Sequence, residues 1–167
     1  MINKTVCFSG HRPEKLPGKG STDRPETEFI RNLLREKINT CISEGYTRFL
    51  SGVARGIDLW AAQTVLELRE RYPAIRLELV LPCPSQPDRW QAQDVAVYKE
   101  IRALADEVHY VSGTYFTGVL QLRNRKLVEN AAVCIGYLTD SHTHSGGTAY
   151  TVLQALNGGA EFINLAE

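Results

Sequence analysis

Short apolar runs alternate with segments of helical spacing along the whole chain, and this alternation restricts the fold more than any other feature. Runs rich in β-branched and aromatic residues predict six strands: TVCFSG, TRFLSG, RLELVLP, EVHYV, AVCIGYL and EFINL. Apolar positions at helical spacing predict helices in ETEFIRNLLREKINTCISEG, IDLWAAQTVLELRERY, Gln91–Ala105, Val119–Ala131 and TAYTVLQALNGG. Because strands joined by helices lie parallel and are covered on both faces, we expect a Rossmann-like three-layer α/β/α fold with a mostly parallel central sheet.

Length and charge restrict the class of protein. The chain has 167 residues and shows no repeat or linker, so we expect one domain over residues 1–167. Lys plus Arg equals Asp plus Glu at 19 each, and this balance argues against a non-specific nucleic-acid binder. The apolar runs are too short to span a membrane and no signal peptide is evident, so we expect a cytoplasmic protein without a membrane partner. A homo-oligomer is compatible with this composition.

The spacing of cysteine and histidine residues favours neither disulfides nor a metal site. The four cysteines are widely spaced and predict free thiols in a reducing compartment: Cys7, Cys41, Cys83 and Cys134. His142 and His144 form an H-x-H pair, which by itself is a weak metal signal. We therefore predict no bound metal.

Ser-Gly pairs follow three of the predicted strands, at Ser9-Gly10, Ser51-Gly52 and Ser145-Gly146. Ligands of open parallel sheets bind beyond the carboxyl ends of the strands. Glycine lets backbone N–H groups approach a phosphate, and a following helix N-terminus adds partial positive charge. One such pair is typical of a tight turn before a helix, whereas three at one edge of a sheet predict a phosphate site.

Arg55 lies between Gly52 and Gly56, where the second strand turns into a helix. Between two glycines at the mouth of a helix, its side chain is expected to have nothing to pack against. It could therefore reach a ligand phosphate, or it could pair with an acidic side chain. His11 and Arg12 add further donors at the end of the first strand.

Later loops contribute further candidates. Gln86 could hydrogen-bond a base or ribose, and Trp90 could either stack on a base or cover the core. Tyr115 and Phe116 are open to the same two interpretations, and Arg123 could bind a ligand or belong to a solvated helix face. The predicted ligand-binding residues are Ser9, Gly10, His11, Arg12, Ser51, Gly52, Arg55, Gly56, Gln86, Trp90, Arg123, Asn124, Ser145, Gly146, Gly147 and Thr148.

Several of these motifs resemble known bacterial families. SGVARGID resembles the signature of the Smf/DprA family of DNA-uptake proteins. CFSGHRPEKL, GIDLWAA, the Gln86 to Trp90 spacing, RNRKLVENA and SGGTAYTVLQAL together resemble the YpsA-like proteins of bacteria and prophages. Both families belong to the SLOG superfamily, together with the LOG phosphoribohydrolases. The resemblance covers essentially the whole chain, and it implies a Rossmann-like fold with a site for a nucleotide or a nucleotide-derived, ADP-ribose-like ligand.

One departure from the LOG pattern bears on catalysis. LOG-type hydrolases use an arginine on one helix and a glutamate in a glycine-rich motif. Arg123 matches that arginine by position, but Tyr150 or Thr151 stands where the glutamate is expected. Since glycosidic hydrolysis uses a carboxylate, we predict no catalytic residue. If the protein is nevertheless an enzyme, the candidates are Arg123, Asp58 and Asp140, although an Asp58 in a first helical turn is typical of a dipole-complementing residue.

The sequence thus favours a small-ligand binding module that acts as a sensor or sequesters its ligand. One alternative is a nucleoside-monophosphate phosphoribohydrolase-like enzyme with an atypical acid. A second alternative, taken from the DprA-like turn, is single-stranded DNA binding. The neutral net charge and the lack of a basic, aromatic-rich strip in the sequence make nucleic acid the less favoured partner.

Overall fold

A parallel sheet forms the centre of the protein. The structure is a computed structural model that describes residues 4–139 and 147–167. Within these ranges, six strands pair in the order β4-β3-β2-β1-β5-β6, and every pairing is parallel. Their bounds are β1 Thr5–Ser9, β2 Arg48–Ser51, β3 Arg76–Leu81, β4 Glu107–Tyr110, β5 Val133–Gly136 and β6 Glu161–Asn164.

Helices connect the strands as the sequence pattern predicts. The described ranges contain α1 Pro25–Ser43, α2 Ile57–Arg71, α3 Ala92–Leu104, α4 Val119–Val128 and α5 Gly147–Asn157. Two short 3-10 turns, Pro13–Lys15 and Pro17–Gly20, lie in the loop between β1 and α1. Each predicted strand and helix is present within a few residues of its predicted bounds, so the Rossmann-like α/β class is confirmed.

The two faces of the sheet carry separate apolar cores. On one face α1, α2 and α3 pack over Val6, Phe8, Phe49 and Leu77, and the rings of Phe8 and Phe49 stack at 6.3 Å. On the other face α4 and α5 pack over a smaller set that includes Cys7, Leu50, Val80 and Cys134. All four cysteines are buried and free, as predicted. Two-sided helical cover of this kind is what parallel sheets require.

The edge strand β4 departs from the expectation that all strands are buried. Glu107, His109 and Tyr110 are exposed, whereas β3 beside them is largely buried. An edge strand has a neighbour on one side only, and charged side chains protect its free edge from pairing with other chains. Among the described helices, none is both long and apolar enough to cross a membrane.

The order of the strands determines where a ligand site can form. The chain builds β1 to β4 outward in one direction and then returns to place β5 beside the opposite edge of β1. Neighbouring loops therefore leave the sheet in opposite directions at β1 and β5. Ligand sites of parallel sheets lie at this edge, so we expect a site among the loops after β1, β2, β3 and β5.

Candidate functional site

The glycines after β1 and β2 lie against other parts of the protein. A Cβ at Gly10 would overlap the side chain of Ile57, and a Cβ at Gly52 would lie 2.5 Å from Nη1 of Arg123. Gly56 has a φ of +96° and its Cβ would overlap the carbonyl oxygen of His11. Each glycine therefore permits close packing of the strand ends against α2 and α4. Their predicted role in ligand binding stays a prediction.

Ser51 holds the turn between β2 and α2. Its hydroxyl donates to the carbonyl oxygen of Asp58 at 2.8 Å and accepts the N–H of Val53 at 3.0 Å. Val53 is fully buried and has a φ of 53°, which is rare for a β-branched residue. Such a conformation costs about 1–3 kcal/mol and persists only where the surroundings enforce it. Ser51 thus uses its hydroxyl within the fold. The nearby Ser9 is also buried, and its carbonyl oxygen accepts the N–H of Tyr137 at 3.3 Å.

Gln86 and Arg123 fix the same turn from two other elements. The carbonyl oxygen of Gly52 accepts a hydrogen bond from Nη1 of Arg123 at 2.8 Å and from Nε2 of Gln86 at 3.1 Å. Nε of Arg123 donates to Oδ1 of Asn124 at 2.9 Å. Arg123 is only 5% exposed, so the interpretation of a solvated helix face is wrong for this residue. These contacts join the β2 turn, the loop after β3, and α4.

Asp58 is a buried acid in the first turn of α2. Burial raises its pKa to about 7, while the charge of Arg123 and the backbone N–H of Gly10 oppose the rise. Its Oδ1 atom is buried without a hydrogen-bond partner among the described residues. Burial in turn lowers the pKa of Arg123, and the charge of Asp58 opposes that change. Asp58 can therefore gain or lose a proton near neutral pH, but it does not line the cleft described below.

Arg55 forms ion pairs with two acidic side chains. Its Nη2 lies 2.6 Å from Oε1 of Glu14, and its Nε lies 3.3 Å from Oδ2 of Asp94. Of the two interpretations that the sequence allowed, the structure therefore shows the acidic partners. The pKa of Glu14 is lowered, first by its own backbone N–H and then by Arg55. Arg55 thus ties the loop after β1 to α3.

A cleft of about 740 Å³ opens at the carboxyl ends of β1 to β4. This volume lies within the range of small-molecule sites, which is about 300–1,000 Å³. Five of the predicted residues line it: Arg12, Arg55, Gln86, Trp90 and Arg123. Sequence reasoning missed Ala54, Asp88, Arg89 and Leu120 in its lining. Arg89 follows β3 directly before Trp90, so its place in the same loop was a signal that could have identified it.

Aromatic residues of the cleft differ in what they contact. The ring of Trp90 meets the ring of Tyr98 edge-on at 5.4 Å, which supports its core-covering role. Tyr115 also lines the cleft, yet it is 65% exposed, and the neighbouring Phe116 is 44% exposed. Exposed aromatic faces are able to stack on a base. Tyr115 is therefore a stronger stacking candidate than Trp90.

The loop after β1 contacts the start of α5 through His11. Nδ1 of His11 lies 3.3 Å from the hydroxyl of Thr148, and the His11 ring lies edge-on to Tyr137. Gly147 begins α5 and is exposed. The remaining predicted residues lie outside the described ranges: Ser145 and Gly146 of the third turn, the candidate acid Asp140, and the H-x-H pair His142 and His144.

Side chains of the kinds that bind metal ions come together at one place among the described residues. Ligand atoms of Glu78, Glu107 and His109, on β3 and β4, lie within reach of a common point, where Glu78 is buried and the other two residues are exposed. Both carboxylate oxygens of Glu78, however, accept hydrogen bonds from Arg48, at 2.8 and 3.0 Å. Arg76 lies 3.6 Å from Glu107. Two guanidinium groups neutralise the acids here, so the group has the chemistry of an ion-pair network.

The family of the chain follows from comparison with known sequences. A family model for YpsA, described as the YspA SLOG family, matches residues 6–160. The chain belongs to the YpsA SLOG family. The resemblance found in the sequence motifs is thereby confirmed. A UPF0398 protein from Bacillus pumilus is 28% identical over 156 residues, covering 92% of this chain and 82% of that protein. One from Staphylococcus saprophyticus is 32% identical over 120 residues, covering 72% and 63%.

Solved structures share the fold of this YpsA SLOG protein. The X-ray structure of TM1055 aligns with a TM-score of 0.56 at 18% identity, over 95% of this chain and 72% of that one. DNA processing protein A from Helicobacter pylori aligns with a TM-score of 0.59 at 18% identity, over 96% of this chain and 64% of that one. That neighbour is described as having a single-stranded DNA binding mode. At such identities the likeness shows the fold alone.

Proposed function

We propose that the cleft at the carboxyl edge of the sheet binds a nucleotide or a nucleotide-derived ligand, and that the protein senses or sequesters it. The observation that carries this proposal is the composition of the cleft. Among the described residues, four arginines, Arg12, Arg55, Arg89 and Arg123, line it together with a single acid, Asp88. A cluster of cations in a protein with no net charge favours an anionic ligand at this place.

Binding fits the cleft better than hydrolysis does. Asp58 is the acid beside Arg123, but it is buried under the turn and does not line the cleft. Asp88 is the one acid in the lining that residues 4–139 and 147–167 provide. Glycosidic hydrolysis uses a pair of carboxyl groups that flank the scissile bond. An adenine nucleotide or ADP-ribose, held by cations and an exposed aromatic ring, is the ligand class that we propose.

Single-stranded nucleic acid is the second candidate. Tyr115 is exposed and lines the cleft together with its arginines, and the next residue, Phe116, is exposed as well. Exposed aromatic rings next to cations are typical of single-strand binders. DNA processing protein A, which has a related fold and is described as binding single-stranded DNA, also supports this candidate. The cations lie around one cleft of about 740 Å³, however, and this favours a small ligand over a long strand.

Calorimetric titration with AMP, ADP and ADP-ribose tests the proposal. Ala54 lines the cleft, so Ala54→Glu places an acid inside it and is expected to abolish binding. Ala103→Glu, on the exposed surface of α3, is the matched control and should bind as the parent protein does. Binding that survives Ala54→Glu in a folded protein, or no binding of any of the three compounds to the parent, would overturn the proposal.

Salt dependence separates the two candidates. A single strand loses affinity with a log–log slope of about −0.7 for each neutralised phosphate, whereas a small ligand releases few counterions. We expect a labelled oligothymidylate to bind weakly and to dissociate between about 50 and about 200 mM salt. Tight oligonucleotide binding at the higher salt, together with no nucleotide binding, would favour the nucleic-acid candidate.

A further inference from the structure

The four arginines of the cleft differ in how far the protein already neutralises them. Arg55 pairs with Glu14 at 2.6 Å and with Asp94 at 3.3 Å. Arg123 donates to the Gly52 carbonyl oxygen at 2.8 Å, and it is buried next to Asp58. An incoming phosphate would have to compete with these internal acceptors. Neither arginine is therefore the first choice for recognising an anion.

Arg12 and Arg89 are different. Both are exposed and both line the cleft. Over residues 4–139 and 147–167, neither guanidinium lies within ion-pair distance of a carboxylate. Arg12 helps to lower the pKa of Glu14, but only from beyond that distance. The charge of these two side chains is thus available to a ligand.

Strand order brings these two arginines to the same turn. Arg12 follows β1 and Arg89 belongs to the loop after β3, while β2 lies between those strands. They therefore flank the turn between β2 and α2, where Ala54 lines the cleft with only a methyl group. The N-terminus of α2 offers no competing anion site, because the acidic side chain of Asp58 lies in its first turn and already accepts a hydrogen bond from the N–H of Gly10.

We propose that Arg12 and Arg89 together bind a phosphate group of the ligand above Ala54. This inference rests on the proposed function and names the chemical group that the cleft recognises. A guanidinium presents a planar fork of donors that matches phosphate oxygens, and two such forks suit a dianionic phosphate. The cleft accordingly selects a phosphorylated nucleotide over the corresponding neutral nucleoside, and Arg89 is a specificity-determining residue.

Calorimetric titration with AMP and with adenosine tests this assignment. Arg12→Gln and Arg89→Gln should each weaken AMP binding about 10- to 100-fold, the factor expected for one hydrogen bond to a charged group. Their affinity for adenosine should not change. Arg125→Gln removes an exposed arginine of α4 outside the cleft and should leave AMP binding within about twofold of the parent. AMP affinity that both cleft variants retain would overturn the assignment.

Inorganic pyrophosphate separates a failure of this inference from a failure of the proposed function. We expect pyrophosphate to raise the melting temperature of the parent protein and of Arg125→Gln, but not of the Arg12→Gln/Arg89→Gln double variant. If pyrophosphate behaves in this way while no nucleotide binds, the phosphate site stands and the nucleotide proposal fails. If nucleotides bind but pyrophosphate protects the double variant equally, the two arginines are not the phosphate site. If neither compound binds the parent, both proposals are overturned.

Discussion

Two neighbouring regions at the carboxyl edge of the sheet serve different purposes. In the packed turns, residues 9–11, 51–53 and 56, glycines lie against a side chain, a guanidinium and a carbonyl oxygen. In the adjoining cleft, the arginines Arg12 and Arg89 meet no carboxylate among the described residues. The packed turns stabilise the positions of the strand ends, and the cleft presents positive charge to a ligand. A glycine-rich motif at a strand end is therefore not by itself evidence of a ligand there.

The contrast between Arg123 and Arg89 shows why burial decides the role of a charge. Arg123 is 5% exposed and uses its donors on Gly52 and Asn124. Moving a charged group from water into the protein interior costs several kcal/mol. The donors of the Arg123 guanidinium must therefore be satisfied within the fold. Arg89 stays in water and keeps its donors available. We expect substitutions in the packed turns to change stability, and substitutions in the cleft to change binding.

Gly56→Ala should have the largest effect on stability. A Cβ there would overlap the His11 carbonyl oxygen, and the φ of +96° disfavours any side chain. The Gly56 backbone, at φ +96° and ψ −130°, lies in a sparsely populated region that is largely restricted to glycine, where a side chain costs about 1–3 kcal/mol of strain. Overpacking adds about 1–3 kcal/mol, so we expect a loss of about 2–6 kcal/mol in urea unfolding.

Two matched glycines separate these contributions. Gly118 shares the positive φ of Gly56 but lies in the left-handed helical region, at ψ −4°, with open space around its Cβ. Gly118→Ala should therefore cost only the strain of that region, about 1–2 kcal/mol. Gly113→Ala meets open space, has no positive φ and should change stability by less than about 0.5 kcal/mol. If Gly56→Ala costs no more than Gly118→Ala, the turn is not tightly packed.

Asp58→Asn should change how stability depends on pH. Burial raises the pKa of Asp58 from 3.8 to about 7, so in this window the folded protein keeps a proton that the unfolded chain has lost. The stability that this group contributes is therefore present at low pH and is lost as pH rises through about 7. The loss from about pH 5 to about pH 8 amounts to about 2–3 kcal/mol.

Urea unfolding at several pH values checks this prediction. Asn cannot ionise, so Asp58→Asn should remove most of the fall in stability that the parent shows over this range. Asp88→Asn, an exposed acid of the cleft, is the control and should keep the dependence of the parent. An Asp58→Asn profile as steep as the parent profile would show that another group is responsible.

The pair Arg55–Glu14 should show the smallest effect. Both side chains are partly exposed, at 30% and 58%, and exposed ion pairs contribute about 0.2–1 kcal/mol. A double-mutant cycle with Arg55→Gln and Glu14→Gln, followed by urea unfolding, should give a coupling energy in that range. The exposed pair Arg35–Glu67, which joins α1 to α2 outside the cleft, should give a similar value. Coupling above about 2 kcal/mol for Arg55–Glu14 would place Arg55 among the structural residues of the packed turns.

Local patterns of the sequence were sufficient for the fold. Runs such as TVCFSG and RLELVLP and the helical spacing of IDLWAAQTVLELRERY each specify an element through nearby residues alone. Strands joined by helices then lie parallel, which also predicted the edge of the sheet where the cleft is found. The position of Arg12, Gln86, Trp90 and Arg123 around one cleft followed from the same rule.

What the sequence could not show is which charges remain available to a ligand. Arg55 meets Glu14 and Asp94, which lie 41 and 39 positions away in the chain, and Arg123 meets the turn at Gly52. Pairing between such distant residues depends on how α3, α4 and the loop after β1 pack against α2. The sequence by itself determined the parallel α/β sheet and the edge that carries the cleft. Only the tertiary structure decided that Arg55 and Arg123 are neutralised internally, while Arg12 and Arg89 meet no carboxylate within residues 4–139 and 147–167. Ion pairing requires atoms within about 4 Å, and such contacts arise from packing.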